Sequence, residues 1–353
     1  MSVRVPAWTP LRFALVLALA LGVAVSGCAG ASGSAPARVW PPGGSPRFSP
    51  YVDVTLSPPF DLAAVAGDAG ARSLTLAFAD AATPRCEPRW GPATPIAAPA
   101  VATPAARLRA AGVALRVSFG GSEGVELAGA CPNVKELEAA YAYVLARYHA
   151  VAADFDLEGA ALADGAAMAR RARAIALLQA RSGRRLGVSL SLPASPHGLA
   201  AGGFGAVRAL LAAGVHLSSV NLLAMDYPPA EARRSMAAAG IGAAEAVHRQ
   251  LSTLGDGLTG WGSLGLTAMA GVNDVSGEVL TLGDARALAR FASRRGLGLT
   301  SIWSLARDEP CAGSPTAAQA TCSGVAEPPY AFSRAFGARP RPGVRPREAV
   351  DRG

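Results

Sequence analysis

The stretch Asp154-Phe155-Asp156-Leu157-Glu158 alternates three carboxylates with two apolar side chains. This alternation is typical of a β-strand, in which successive side chains point to opposite faces. The three acids therefore share one face at intervals of roughly 6.6 Å, and the two apolar residues share the other. Burying three acids together costs free energy unless protons are shared or hydrogen bonds compensate. The pattern thus favours a functional site over the alternative, an edge strand with solvated acids.

Outward from this stretch, residues 51–336 repeat one pattern: a short apolar run, a turn bearing Gly or Pro, then an Ala-, Leu- and Arg-rich segment. The strands predicted from the runs are Tyr51–Leu56, Leu74–Phe78, Ala114–Phe119, Ala153–Glu158, Gly187–Leu192, Ser219–Met225, Leu264–Met269 and Leu299–Trp303. The amphipathic helices predicted between them include Val134–Tyr148, Ala166–Ala180, Gly205–Ala213, Ala230–Leu254 and Leu282–Arg295. This alternation predicts an α/β fold, a single TIM (β/α)8 barrel. An open doubly wound sheet is disfavoured, because no Gly-rich phosphate fingerprint follows the first strand.

The chemistry of such a barrel lies at the carboxyl ends of its strands. Glu158 is the last residue of its predicted strand, so we expect the acids to face the inside of the barrel and Phe155 and Leu157 to face the helices. The other informative strand ends are Ser118-Phe119-Gly120-Gly121 on the third strand, Met225-Asp226-Tyr227 on the sixth and Trp303 on the eighth.

In their order along the barrel, these strand ends resemble the chitinases of glycoside hydrolase family 18, over roughly residues 51–322. The resemblance implies cleavage of β-1,4 links beside N-acetylglucosamine with retention of configuration. The N-acetyl group of the substrate then replaces a carboxylate nucleophile. Glu158 would be the general acid, and its pKa must be raised towards the working pH. Asp156 would orient the acetamide, and Asp154 would share a proton or a hydrogen bond with Asp156 and with Ser118.

The resemblance also implies a substrate-binding surface around these acids. Trp303 would be the sugar platform where cleavage occurs, with a core tryptophan as the alternative. The other residues assigned to this surface are Ser118, Met225, Asp226 and Tyr227. The family often has a tyrosine where this chain has Met225, so either Tyr227 or another group substitutes for it, or catalysis is weaker.

A second departure from the family lies just before the acids. Val151 and Ala152 stand where the fuller motif has an aspartate and a glycine. Because the inner pair of acids carries the chemistry, we expect activity to survive this loss.

Other strand-end residues give weaker signals. Asn273 and Asp274 follow the seventh strand and either bind sugar hydroxyls or form a turn. Trp90 and Trp261 either extend the cleft or cap helices. The pair Gly120-Gly121 is expected to be structural, letting the backbone pass close to the acidic strand or the sugar.

The two ends of the chain differ in composition from its middle. Arg4 and Arg12 precede an apolar run that is too short for a stable membrane anchor, which predicts a signal peptide over residues 1–28. The run ends in a segment that resembles the lipobox of bacterial lipoproteins, where Cys28 would be lipidated; the alternative is a secreted protein cleaved near Ala31. Residues 29–50 read as a flexible linker, residues 51–336 as the glycosidase domain and residues 337–353 as a disordered basic tail.

Four cysteines remain after Cys28 in this exported chain, where disulfides persist. Cys311 and Cys322 are close in sequence across Gly, Ser and Pro, which predicts a local disulfide and leaves Cys86 to pair with Cys131. A metal site is the competing hypothesis. The histidines are scattered and no Cys-x-x-Cys occurs, so we expect neither zinc nor a cofactor.

The formal net charge of +8 lies mainly at the ends of the chain. Residues 1–50 contribute +4 and residues 339–353 contribute +3, which leaves +1 for residues 51–338. A nearly neutral folded region gives no support for a nucleic-acid partner.

The function predicted is therefore that of a monomeric chitinase that meets the membrane only through its lipid anchor. The aromatic content of 6% offers few sugar platforms, which favours short or soluble chains over crystalline polymer. Two alternatives remain open: an endo-β-N-acetylglucosaminidase acting on glycans or peptidoglycan, and a lectin-like barrel that binds chitin without hydrolysis.

Overall fold

A computed structural model describes residues 47–56, 69–183, 185–227, 235–255 and 257–337. The strands are β1 Arg47–Phe48, β2 Tyr51–Asp53, β3 Ser73–Ala81, β4 Pro88–Trp90, β5 Thr94–Pro95, β6 Ala114–Gly120, β7 Ala152–Asp156, β8 Gly187–Ser195, β9 Gly198–Leu199, β10 Ser219–Leu223, β11 Leu264–Met269, β12 Gly271–Val272, β13 Val279–Leu280 and β14 Leu299–Trp303. The helices are α1 Pro99–Ala110, α2 Leu127–Ala130, α3 Val134–Tyr148, α4 Gly159–Ala163, α5 Gly165–Arg181, α6 Ala201–Ala212, α7 Met236–Ser252, α8 Leu282–Arg295 and α9 Ala331–Gly337.

Parallel pairing links the long strands in the order β3, β6, β7, β8, β10, β11 and β14. The remaining position of the ring is filled by residues 47–53, since β1 pairs with β14 and β2 pairs with β3, both in parallel. Pro50 separates the two short strands because it has no amide hydrogen to give to a ladder. This arrangement is the predicted TIM barrel, with its first strand split in two.

The first strand begins earlier than predicted. Residues 47–50, assigned to the flexible linker from their composition, belong to the sheet. The amide of Ser49 donates to the carbonyl of Thr300, and the carbonyl of Pro50 accepts from the amide of Thr75. The side chain of Ser49 is buried and hydrogen-bonds to those of Ser73 and Thr75. This strand could not be predicted from composition, because the residues with which it pairs are far away in the sequence.

Strand β7 confirms the alternation predicted for the acidic stretch. Phe155 and Leu157 are fully buried in the apolar layer between the sheet and the helices. The ring of Phe155 stacks on Phe119 of β6, at 5.4 Å between centroids, and meets Tyr141 of α3 edge-on at 5.1 Å. This packing fixes the face of the strand and so aims the acids into the barrel.

Helices close the outside of the barrel, and side chains cap several of their ends. Asn133 accepts from the amide of Glu136 at the start of α3, and Thr281 and Asp284 form a capping box at the start of α8. Such caps satisfy amides that the helix itself leaves unpaired. Within the parts of the chain that the structure describes, no helix is both long and apolar enough to cross a membrane. The predicted signal peptide, Cys28 and the basic tail beyond residue 337 lie outside the described residues.

Both predicted disulfides are confirmed. Cys86 bonds to Cys131, with 4.4 Å between their Cα atoms, and ties the turn before β4 to the end of α2. Cys311 bonds to Cys322, 5.1 Å apart at Cα, and closes a loop after β14.

Candidate active site

Asp154 lies at the centre of a polar nest inside the barrel and has 0% of its surface exposed. Its Oδ2 accepts hydrogen bonds from the hydroxyls of Tyr51, at 2.8 Å, and Ser118, at 2.7 Å. Its Oδ1 accepts from Ser189, at 2.5 Å, and Ser191, at 2.9 Å. The parallel registers of β6, β7 and β8 produce this convergence, because Ser118, Asp154 and Ser189 are direct neighbours across the three strands. Two donors at each oxygen suit an ionised carboxylate, which only accepts hydrogen bonds.

Asp156 lies one inward position above Asp154, nearer the carboxyl ends of the strands. Its pKa is raised well above the ordinary value by burial, then by the charges of Glu158 and Asp154. No hydrogen bond is seen between Asp154 and Asp156 among the described residues, and the predicted sharing of a proton between these two stays a prediction. The donors of the nest already occupy Asp154, while Oδ1 of Asp156 is buried without a partner in the described part of the chain.

Glu158 follows the end of β7 at the rim of the barrel. The strand ends at Asp156 and not at Glu158 as predicted, because Glu158 is the residue before α4 and keeps an extended conformation there. Its side chain is half-buried. Burial, and then the charge of Asp226, raise the pKa of Glu158 to about 7. A carboxyl group with that pKa can carry a proton near neutral pH and deliver it to a substrate.

The glycine pair at the end of β6 lets the backbone pass close to the acidic strand, as predicted. Gly120 and Gly121 have φ angles of 100° and 97°, which favour glycine. A Cβ atom on Gly120 would lie 2.2 Å from the carbonyl oxygen of Asp156, and one on Gly121 would lie 2.9 Å from the ring of Phe78. The amide of Gly121 donates to the same Asp156 carbonyl, at 2.9 Å.

Trp303 forms an aromatic platform with two rings from neighbouring strands. It stacks on Phe78 of β3 at 5.3 Å between centroids and meets Tyr51 of β2 edge-on at 6.1 Å. Trp303 and Phe78 are half-buried, while Tyr51 is buried beneath them. The platform therefore stands over the Asp154 nest, because the hydroxyl of Tyr51 reaches down to that carboxylate.

Beyond β10, the side chains of Met225 and Asp226 reach the surface, and Tyr227 does not. Tyr227 is only 1% exposed, and its hydroxyl lies 3.7 Å from where a Cβ atom would stand on Gly240 of α7. The proposed replacement of the family tyrosine by Tyr227 is therefore wrong, because this hydroxyl is directed at an outer helix. Ser118 is likewise fully buried, so it supports Asp154 and cannot contact a substrate as predicted.

A charged cluster adjoins Asp226 on the loops after β11 and β14. Burial and then the charge of Asp274 raise the pKa of Asp226, whose Oδ1 accepts weakly from the amide of Val275. Arg307 is buried beside both acids and donates to the carbonyls of Ala270 and Val272. Its guanidinium thus fixes the loop that carries Asp274.

Solved chitinases share this architecture. The catalytic domain of a hyperthermophilic chitinase from Pyrococcus furiosus superposes with a TM-score of 0.74 and 30% sequence identity, over 84% of this chain and 95% of that one. A family 18 chitinase from Chromobacterium violaceum superposes with a TM-score of 0.52 at 18% identity, over 83% of this chain and 80% of that one. The chain belongs to glycoside hydrolase family 18. The resemblance inferred from the strand ends is confirmed.

Two curated relatives extend this family 18 comparison. A probable bifunctional chitinase/lysozyme of Escherichia coli is 34% identical over 317 residues, which is 85% of this chain and 35% of the relative. Endochitinase 11 of Metarhizium anisopliae is 33% identical over 293 residues, which is 78% of this chain and 55% of the relative. The chain thus spans about a third to about half of the length of these relatives. No family model matches it.

Two tryptophans proposed to extend the family 18 cleft lie elsewhere. Trp90 is 0% exposed and donates its indole N–H to the hydroxyl of Tyr148, so it is a core residue. Trp261 precedes β11 and so lies at the opposite end of the barrel from the acids, stacked on His248 at 4.0 Å. Asn273 is buried, with its amide donating to the carbonyls of Met269 and Gly271, which supports the turn and not a sugar contact.

The sequence did not predict the residues from other strands and loops that support the family 18 acids. They are Tyr51, Phe78, Ser189, Ser191 and Arg307. A signal was present in β8, where serines alternate with leucines and so mark one polar, inward face. Among the described residues, no group of three or more His, Cys, Asp or Glu side chains could hold a metal ion.

Proposed function

We propose that the protein is a retaining glycosidase that cleaves β-1,4 links beside N-acetylglucosamine in chitin or chito-oligosaccharides. The observation that carries this proposal is Glu158, half-buried at the rim with a pKa raised to about 7, directly above a buried Asp156. The aromatic platform of Trp303 and Phe78 beside these acids supports it, because sugar rings pack on aromatic faces.

In the first step, Glu158 donates its proton to the glycosidic oxygen as the bond from that oxygen to the anomeric carbon breaks. The acetamido carbonyl oxygen of the same sugar forms a new bond to the anomeric carbon and gives an oxazolinium ion. In this mechanism the buried Oδ1 of Asp156 accepts the acetamide N–H and so orients that group. The support is that this atom has no partner among the described residues.

In the second step, water attacks the anomeric carbon from the face that the leaving group vacated. It passes one proton to the carboxylate of Glu158, which regenerates the acid, and the carbon–oxygen bond of the oxazolinium ring breaks. Two inversions at one carbon give retention, so the first product formed is the β-anomer.

Incubation with a defined chito-oligosaccharide, followed by mass spectrometry and proton NMR of the fresh products, tests this function. We expect shorter oligomers with β-anomeric ends, and we expect Glu158→Gln to lose at least about a thousandfold in kcat while still binding the oligomer. Parallel incubations contain a high-mannose glycopeptide and peptidoglycan, because one relative is named a chitinase/lysozyme. Release from one of these alone would identify a different glycosidase, and binding without any cleavage would identify a lectin.

The protein is further proposed to be exported, anchored by a lipid on Cys28 to the outer face of the membrane, and monomeric. The support is the amino-terminal sequence, with its charged start, apolar run and small residues before a cysteine. An extracytoplasmic position also suits a polymeric substrate and the two disulfides.

A further inference from the structure

An arginine lies inside the barrel beneath the catalytic acids. Arg116 is on β6, two residues before Ser118 and therefore on the same inward face, one layer deeper. It is only 4% exposed. Its register partner on β7 is Ala152, whose small side chain leaves room for the guanidinium to cross towards β8. A buried cation needs a negative partner nearby, because desolvation of an isolated charge is costly.

Hydrogen bonds lead from this arginine to the acid at the centre of the site. The Nη2 atom of Arg116 donates to Oγ of Ser189, at 2.5 Å. The same hydroxyl donates its own hydrogen to Oδ1 of Asp154, also at 2.5 Å. Arginine only donates and an ionised carboxylate only accepts, so both bonds run from Arg116 towards Asp154, and Ser189 carries the influence of the cation to the carboxylate.

A second chain of hydrogen bonds ends at the same oxygen of Asp154 and is polarised in the same direction. The amide of Asn221 donates to Oγ of Ser191, at 2.9 Å, and Ser191 donates to Asp154. The hydroxyl of Thr267 in turn donates to the Oδ1 atom of Asn221, at 3.1 Å. Both chains end at the carboxylate of Asp154. Of the two, the chain through Ser189 begins at a full positive charge.

We propose that Arg116 is a positioning residue of the catalytic machinery, whose charge acts on the carboxylate of Asp154 through Ser189. Because Asp154 is saturated with donors, the proton of the acidic pair stays on Asp156, next to the acetamide and to Glu158. Arg116 therefore acts through Asp154 and does not touch the substrate. This role deepens the glycosidase function proposed above and rests on it.

Few other charges face Asp154. The neighbouring acids along the chain are Asp156, on the same strand, and Glu158, just after it. From β2, Tyr51 contributes a hydroxyl whose pKa is raised well above its ordinary value by burial and by the negative charges of Asp154 and Asp156, so that it remains a donor. From β8 and β10, the contacts described are the uncharged groups of serine and asparagine. Of the described residues that hydrogen-bond to this nest, Arg116 is the one with a positive charge.

The pH profile of kcat/KM tests this role. Arg116→Met keeps the length of the side chain and removes its charge, so the acidic pair should lose its first proton less readily. We expect the acidic limb of the profile to move up by about one pH unit, and activity on that limb to fall about tenfold. Arg116→Lys should restore most of the wild-type limb. Arg170→Met, which removes a cation that bonds only to the carbonyl of Ala128 in the contacts described, should leave it unchanged.

If Arg116→Met fails to fold, Ser189→Ala provides a second test, because it removes the hydroxyl that joins Arg116 to Asp154 and keeps the cation. It should move the acidic limb in the same direction by a smaller amount. An acidic limb that stays within about 0.2 units of the wild type in the folded variants, or a Lys variant that behaves as the Met variant does, would overturn the proposal.

A second measurement separates this proposal from the proposed function, since it needs no activity. The attraction between Arg116 and Asp154 needs both charges, and Asp154→Asn removes one of them while keeping the shape of the side chain. The Tm deficit caused by Arg116→Met should therefore be smaller in an Asp154→Asn background than in the wild type. A deficit that is equal in the two backgrounds, as expected for the Arg170→Met control, indicates packing alone and refutes the charge role.

Discussion

At the scale of single residues, the pKa of Glu158 is raised in part by a neighbour from the segment after β10. Its pKa of about 7 results first from burial and then from the negative charge of Asp226. Burial is a property of the rim as a whole, whereas the second cause is one side chain that a single substitution removes.

Asp226→Asn should therefore move the alkaline limb of activity. A general acid works only while protonated, so kcat/KM falls as pH rises through the pKa of Glu158. Without the charge of Asp226 that pKa decreases, and we expect the alkaline limb to shift down by about 0.5 to 1 unit. Asparagine keeps the oxygen that accepts from the amide of Val275. The measurement is a pH profile of chito-oligosaccharide hydrolysis.

The matched control is Glu245→Gln, which removes a negative charge paired with Arg295 on the outer helices. It should leave the limb in place. An unchanged or upward-shifted limb in Asp226→Asn would mean that Glu158 does not titrate in the alkaline limb, or that its pKa does not depend on Asp226.

Only part of this chemistry could be predicted from the sequence. The alternation of residues 154–158 placed the three acids on one face, because a strand has a strict period of two. The donors to Asp154 come from β2, β6 and β8, and their convergence depends on strand register, which one sequence does not contain. The direction of Tyr227 was likewise undetermined, because the strand ends at Leu223 and the alternation stops before it.

At the scale of elements, the long strands were predictable and the short ones were not. Runs such as Leu264–Met269 are buried on both faces and stand out as continuous apolar segments. The split first strand has no such run, since β1 and β2 contain two and three residues and are held by pairing with β14 and β3. Helix α1 was missed because it contains Pro104 and begins at Pro99.

Two truncated chains test the role of β1. A chain beginning at Arg47 keeps the complete ring, and we expect its Tm to match that of the mature protein. A chain beginning at Tyr51 loses β1, the packing of Phe48 against Gly337 of α9, and the hydrogen bonds of Ser49. We expect it to be less stable by about 2 to 4 kcal/mol in denaturant unfolding. Equal stability of the two chains would show that the barrel closes without residues 47–50.

At the scale of the whole molecule, charge and apolar character are distributed unevenly. The region between residues 51 and 338 is nearly neutral, while both ends are basic. A neutral barrel has no electrostatic reason to remain on a membrane surface, and residues 29–46 contain no long apolar run that could insert. We therefore expect the proposed membrane attachment to depend on Cys28.

Cys28→Ser should consequently release the protein. In a bacterial host, we expect the wild type to incorporate labelled palmitate and to sediment with membranes. The variant should lose the label and appear in the soluble fraction, because each buried methylene of an acyl chain contributes about 0.8 kcal/mol to anchoring. Its activity should stay intact. Ser26→Ala keeps the cysteine and a small residue before it, so it should sediment as the wild type does. An unlabelled, soluble wild-type chain that begins near Ala31 would instead identify a secreted enzyme without an anchor.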